Sequence, residues 1–240
     1  MKRLLVVLPC TERKRTSWRS LIVQEDFRQG GKHLTRLEEK LGRVAAKNLY
    51  QGRQHTRAME GVWALRSGHG RWGRVGVDVM IVSAGYGVVS EAQLIAPYDV
   101  TFRGMATPEL LEWARFLGIP NQIRAVVQEG YDFGLILLGK HYLAACALDH
   151  AVRWGGPTVF VTGTGVAKGL PTWKGTRYLP AAHRESKRFA HGMIGLSGEV
   201  GRRLLLALNR GLVTVAQVMA EPEEEIYQIL EIKGLGGEIP

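Results

Sequence analysis

The run Leu4-Leu5-Val6-Val7-Leu8, closed by Pro9, constrains this chain more than any other stretch, because successive apolar residues leave no polar face for solvent. A strand of that kind is covered on both sides, the condition of a strand inside a largely parallel sheet. Val77 to Val82, Leu135 to Leu138 and Thr158 to Thr162 read as three further strands. Between them fall helical patterns at Leu34 to Tyr50, Thr56 to Arg66, Thr107 to about Phe116, from near Pro120, and Tyr142 to His150. Thr107-Pro108-Glu109 carries the marks of a helix start: a capping hydroxyl, a proline in the first turn and an early carboxylate. The alternation predicts a three-layer α/β fold with a mostly parallel central sheet. Glu185 to Asn209 predicts one or two amphipathic helices. The expected division is therefore residues 1–182 as the α/β core with its cleft, and 183–240 as a C-terminal helical segment.

A chain of 240 residues buries a core without covalent staples. Cys10 and Cys146 match no zinc or redox spacing, and no metal or organic cofactor is expected. The apolar start is too short for a signal peptide, and no stretch approaches the ~18 apolar residues of a membrane span. A cytoplasmic monomer without a membrane partner is the expectation. Lys and Arg total 32 against 22 Asp and Glu, a formal net charge of +10. A surplus of that size asks for an acidic partner such as DNA, RNA or an anionic membrane, unless it merely solvates the surface.

Three segments are candidates for chemistry. Cys10-Thr11-Glu12-Arg13-Lys14-Arg15 follows the first strand, at the sheet edge where α/β folds place ligands; Lys14, Arg13 and Arg15 can hold phosphates, or form a solvated loop. Ser83-Ala84-Gly85-Tyr86-Gly87 follows the second strand and leads on to Pro97-Tyr98-Asp99. Small residues there admit a ligand, Tyr86 and Tyr98 offer faces for stacking a base, and Asp99 is the best-placed carboxylate; a tight turn with a packed tyrosine stands beside that reading. Thr162-Gly163-Thr164-Gly165 is a glycine loop followed by Lys168 and Lys174, basic residues that suit a DNA-facing loop better than a nucleotide cofactor, since the P-loop spacing is missing. Lys140 and Tyr142 lie at the end of the third strand. Arg202 and Arg203 lie beside an apolar helical run. At the C-terminus, two short helical patterns precede Ile232-Lys233-Gly234-Leu235-Gly236, which resembles a helix-hairpin-helix element whose Lys233, Gly234 and Gly236 would present backbone N–H groups to phosphate, although the chain leaves no room for a full second helix.

The blocks Asn48-Leu49-Tyr50-Gln51-Gly52, Met80 to Val89 and Leu94 to Asp99, with Pro9-Cys10-Thr11 through Lys14 and Leu137 to Tyr142, resemble the YaaA superfamily. The resemblance implies a DNA-binding α/β fold with a basic cleft. The position of Asp99 usually carries a basic residue in the peroxide-stress branch, whereas relatives with the Pro-Tyr-Asp form look like anti-phage DNA glycosylases that remove glucosylated hydroxymethylcytosine. The expectation is a glycosylase that flips a modified base into a pocket built around Cys10, Lys14, Tyr86, Gly87, Tyr98 and Tyr142. Asp99 would stabilise the sugar cation and orient water, with Ser83 and Lys140 assisting. Arg13, Arg15, Lys168, Lys174, Arg202, Arg203, Lys233, Gly234 and Gly236 would hold the DNA. The alternatives are a non-catalytic DNA-binding stress protein and a nucleotide- or RNA-modifying enzyme.

Overall fold

The computed structural model describes residues 1–12, 14, 21–232, 234 and 235. In chain order the elements begin with β1 (Lys2–Pro9), α1 (Gln24–Gln29), α2 (Gly31–Leu41), β2 (Val44–Ala45), α3 (Ala46–Leu49) and α4 (Arg53–Arg66). Then come β3 (Val75–Ser83), β4 (Gly87–Ser90), β5 (Leu94–Ile95), α5 (Thr107–Phe116), α6 (Ile119–Gln128), β6 (Phe133–Ile136) and α7 (Lys140–Cys146). The chain continues through β7 (Thr158–Thr162), α8 (Thr164–Ala167), β8 (Thr176–Pro180), α9 (His183–Arg188), α10 (Leu196–Arg210), α11 (Val215–Ala220) and α12 (Glu223–Leu230).

Six strands form one sheet in the order β4-β3-β1-β6-β7-β8. All neighbours pair parallel except β4, which returns antiparallel against β3. Leu4 to Leu8 are buried throughout, as a strand flanked on both edges and covered on both faces must be. The chain first extends the sheet on one side of β1 and then on the other, so the strand order reverses between β1 and β6. In open α/β sheets the crevice beyond the carboxyl ends of the strands at such a reversal is the usual ligand site.

Several elements differ from the sequence expectation for physical reasons. The helix expected over Leu34 to Tyr50 is split, because Gly42 takes φ +76° and ends α2 before the short β2 and α3. The helix expected to reach His150 stops at Cys146, where Ala147 turns left-handed at φ 46°. Strand β8 was not anticipated; its first three residues stay half-exposed at the sheet edge and so lack the fully apolar run of an inner strand.

Helix α10 packs along α4, and small residues set the approach. A Cβ on Gly61 would lie 3.1 Å from the Arg202 Cα, and one on Gly198 2.3 Å from the Gln54 carbonyl oxygen. Leu204 to Leu208 join the same core as β1. This packing corrects the expectation for Arg202 and Arg203: neither reaches DNA, because both are buried, Arg202 completely. Glu199 accepts from Arg202 Nε and Nη2 at 3.0 and 2.8 Å and from Arg203 Nε at 2.7 Å. The same guanidiniums donate to the carbonyls of Leu235 (2.6 Å) and Leu230 (2.8 Å), tying α10 to the C-terminal segment. Burial pushes the Glu199 carboxyl up, but the hydrogen bonds and charges of the two arginines outweigh it and hold it below the ordinary carboxylate value.

Thr214 caps α11 by accepting from the Gln217 N–H at 3.2 Å. Lys233 and Gly236 of the expected hairpin lie outside the described residues, as do Arg13 and Arg15. Gly234 is exposed at φ +91°, and its carbonyl accepts from Arg210 at 3.2 Å. The described C-terminal residues show two short helices and a turn rather than a complete helix-hairpin-helix. Among the described residues no helix is long and apolar enough to cross a membrane.

Candidate functional site

The carboxyl end of β1 delivers Cys10 to the crevice beside β6, its backbone N–H bonded to the Val82 carbonyl at 2.9 Å. Tyr142, from the first turns of α7, crosses to meet it. The Tyr142 hydroxyl donates to the Cys10 carbonyl at 3.0 Å and lies 3.1 Å from Cys10 Sγ, so the thiol is left to donate to the phenol oxygen. Cys10 is buried and also receives the Ala84 N–H at 3.5 Å. This thiol closes the strand ends together, and burial raises the Tyr142 hydroxyl well above the ordinary phenol value.

Beneath the crevice lies a hydroxyl chain. Ser83 Oγ accepts from the Gly85 N–H at 3.2 Å and the Tyr86 N–H at 3.0 Å, which fills both lone pairs. Its proton is therefore committed to the Tyr98 hydroxyl, 2.8 Å away, and Tyr98 in turn meets the Tyr50 hydroxyl at 3.0 Å. Burial raises both tyrosines above the ordinary phenol value, so they remain neutral links. The turn is packed too closely for any residue but glycine at 85, where a Cβ would sit 2.7 Å from Phe27 and 2.9 Å from Tyr98.

This chain corrects three expectations. Ser83 and Tyr98 have no exposed surface, so Ser83 cannot orient a water and Tyr98 cannot stack a base. Gly87 takes φ +76° in the β3–β4 hairpin and is covered by the Leu117 carbonyl and the Gln122 side chain, with no face for a ligand. Tyr86 is half-buried, edge-on to Phe27 and Tyr98, and its hydroxyl accepts from the Ala96 N–H at 3.3 Å.

Above the hydroxyl chain sit Lys14 and Asp99. Lys14 pairs with Tyr50 across a single antiparallel bridge, and its Nζ lies 4.2 Å from the centroid of the Tyr98 ring. Ile22 makes a parallel bridge to Tyr98, and the Asp99 N–H donates to the Ile22 carbonyl at 2.8 Å. The Asp99 side chain is exposed, and it acts on the Lys14 charge together with Cys10 and Glu12. Burial outweighs these neighbours and holds the Lys14 ammonium below the ordinary lysine value. Lys140 begins α7 and is exposed, as are Lys168 and Lys174 on the loops after β7.

A polar hollow of about 460 Å³ adjoins this edge, lined by Gln51, Arg53, Thr56, Arg57, Glu60 and His191. It is joined to the β1 end through Gly52, whose N–H donates to Thr11 Oγ1 at 3.3 Å and where a Cβ would lie 2.5 Å from the Thr11 methyl. Sequence reasoning attached no role to Tyr50, Arg53 or His191; Tyr50 lay inside one recognised block, but only the folded chain brings it to Tyr98. A larger cavity of about 890 Å³ opens between the C-terminal halves of α4 and α10, near Trp63, Arg71 and Arg210, and shares Glu60 with the smaller hollow.

A family model described as a family of unknown function, DUF6884, matches residues 37–169, more than half of the chain. The chain belongs to the DUF6884 family. No curated protein and no solved structure matches it. The DUF6884 match takes in α4, β3, the Tyr98-Asp99 turn, β6 and α7, whereas Cys10 and Lys14 precede it and α10 follows it. In this DUF6884 chain the pair Lys14 and Asp99 is thus built half inside the matched region and half outside it.

Proposed function

We propose that this protein binds DNA and hydrolyses the N-glycosidic bond of a modified nucleotide at the carboxyl edge of its sheet. The observation that carries the reading is the exposed Asp99, next in the chain to the Tyr98 ring that half-buried Lys14 overlies at 4.2 Å, at the edge where α/β sheets take their ligands. Cleavage of the bond places positive charge on the sugar, and a fixed carboxylate stabilises that charge and orients the attacking water. The net charge of +10 and the Arg53 that lines the hollow support a polyanionic partner. The resemblance of the sequence blocks to the YaaA superfamily, in the Pro-Tyr-Asp form, supports a glycosylase acting on modified cytosine. With Tyr98 and Ser83 sealed, the flipped base is proposed to lie over Lys14 rather than in a tyrosine stack. Exposed Lys168 and Lys174, with Gly234, are the proposed outer phosphate contacts, and Lys140 the proposed assistant to the leaving base.

The test is incubation with phage DNAs bearing different cytosine modifications, followed by mass detection of freed bases. Base release should fall by about 100-fold or more in Asp99→Asn, with DNA affinity kept. If the wild-type protein binds DNA yet frees no base from any of them, the non-catalytic DNA-binding reading replaces this one.

A further inference from the structure

We propose that Lys14 is a nucleophile, and that the site also cleaves the strand at an abasic sugar through an imine. The inference rests on the reading above for the origin of its substrate, but its chemistry is separable from base release.

The geometry has three parts. First, the Lys14 amine is held at a defined place, 4.2 Å from the centroid of a Tyr98 ring that has no solvent exposure of its own. Second, its backbone pairs with Tyr50 beyond the end of β1, and the residue is half-buried. Third, Asp99 follows Tyr98 directly in the chain, its N–H bonded to the Ile22 carbonyl at 2.8 Å, which places its backbone next to the ring that Lys14 overlies. An amine kept partly from water is an arrangement that leaves lysine neutral enough to attack carbonyl carbon. Partial desolvation makes the neutral amine available closer to neutral pH, in line with the lowered Lys14 value.

The substrate class is the ring-opened aldehyde of an abasic deoxyribose in DNA. Lys14 Nζ forms a bond to C1′; the carbonyl oxygen takes protons and leaves as water, giving the cationic imine. That charge acidifies C2′, and Asp99 accepts the C2′ proton. The C2′–H electron pair becomes the C2′–C3′ double bond as the C3′–O bond breaks, and the downstream strand leaves with a 5′-phosphate. Water then hydrolyses the imine, returning the unsaturated aldehyde and the free amine. No oxidant, reductant or metal enters the balance.

The experiment uses the full chain and a duplex carrying one preformed abasic site, with borohydride added to reduce any imine to a stable amine. A covalent protein–DNA adduct that peptide mapping places on Lys14, and a nicked strand when borohydride is omitted, are expected. Both should be lost in Lys14→Arg, which keeps the cation, and in Lys14→Gln. Adduct yield should rise with pH about a midpoint below that of an ordinary lysine. No adduct, or an adduct mapped to the Met1 amine or another lysine, overturns the proposal; mapping on the wild-type protein decides this even if the variants fold poorly. Base release from modified DNA without an adduct on abasic DNA removes the imine and leaves the glycosylase. An adduct on Lys14 without any base release upholds the imine and removes the glycosylase.

Discussion

Replacing Glu199 with Gln should cost stability without touching the proposed phosphate contacts. Glu199 is 3% exposed and accepts three hydrogen bonds from Arg202 and Arg203, at 2.7 to 3.0 Å. Hydrogen bonds to charged groups are worth about 1.5–3 kcal/mol each, and leaving a buried charge without its counterpart costs about 3–5 kcal/mol. Gln keeps one acceptor oxygen but turns an NH₂ toward a guanidinium, so at least one bond and all of the countercharge from position 199 are lost. Glu60 Oε2, 3.5 Å from Arg202 Nε, offsets part of that loss. The expected change is therefore near the lower end, about 3 kcal/mol. Urea unfolding of the two proteins measures it, with equal m-values required so that the difference is one of stability. A loss below about 1 kcal/mol would refute the idea that this cluster clamps the C-terminal segment. The same geometry says that Arg203→Met, measured where it is folded, leaves the salt slope of DNA binding unchanged. A slope reduced by about 0.9 would mean that Arg203 meets a phosphate after all.

Two further outcomes follow from groups buried near the site. Burial pushes the His55 imidazole down to about 4, from 6.5 in the open chain. Between those values the unfolded state binds the extra proton, so stability falls by about 3 kcal/mol as pH drops through that window, and His55→Leu should flatten the profile; urea midpoints at a series of pH values check it, and an unchanged slope defeats it. Tyr98→Phe keeps the ring beneath Lys14 but strands the Ser83 proton and the Tyr50 hydroxyl, for a loss of about 1–3 kcal/mol by the same denaturation assay; a change within error would mean that the chain of hydroxyls carries no stability.

The architecture was readable because inner strands declare themselves: Leu4 to Leu8 and Thr158 to Thr162 are runs that only a doubly covered strand requires. What sequence patterning misjudged were features decided by partners distant along the chain. Arg202 and Arg203 read as a basic patch, yet Glu199 one helical turn away and the carbonyls of Leu230 and Leu235 draw them inward. Tyr98 read as a stacking face, yet Tyr50 and Ser83 need its hydroxyl below the surface. Lys14 was singled out from its place after the first strand and Asp99 as the carboxylate of the Pro97-Tyr98-Asp99 loop, but what brings their backbones to the same tyrosine pair is the pairing of Lys14 with Tyr50 and of Ile22 with Tyr98, contacts that no local pattern announces.

Those two bridges have an effect on how the edge would meet a ligand. Backbone at Lys14 and Asp99 that is bolted to a buried phenol pair is already in place before anything arrives, so less order has to be created on arrival. Damage to the floor, at Tyr50 or Tyr98, would tilt both groups at once, although neither tyrosine would ever be in contact with the molecule being handled.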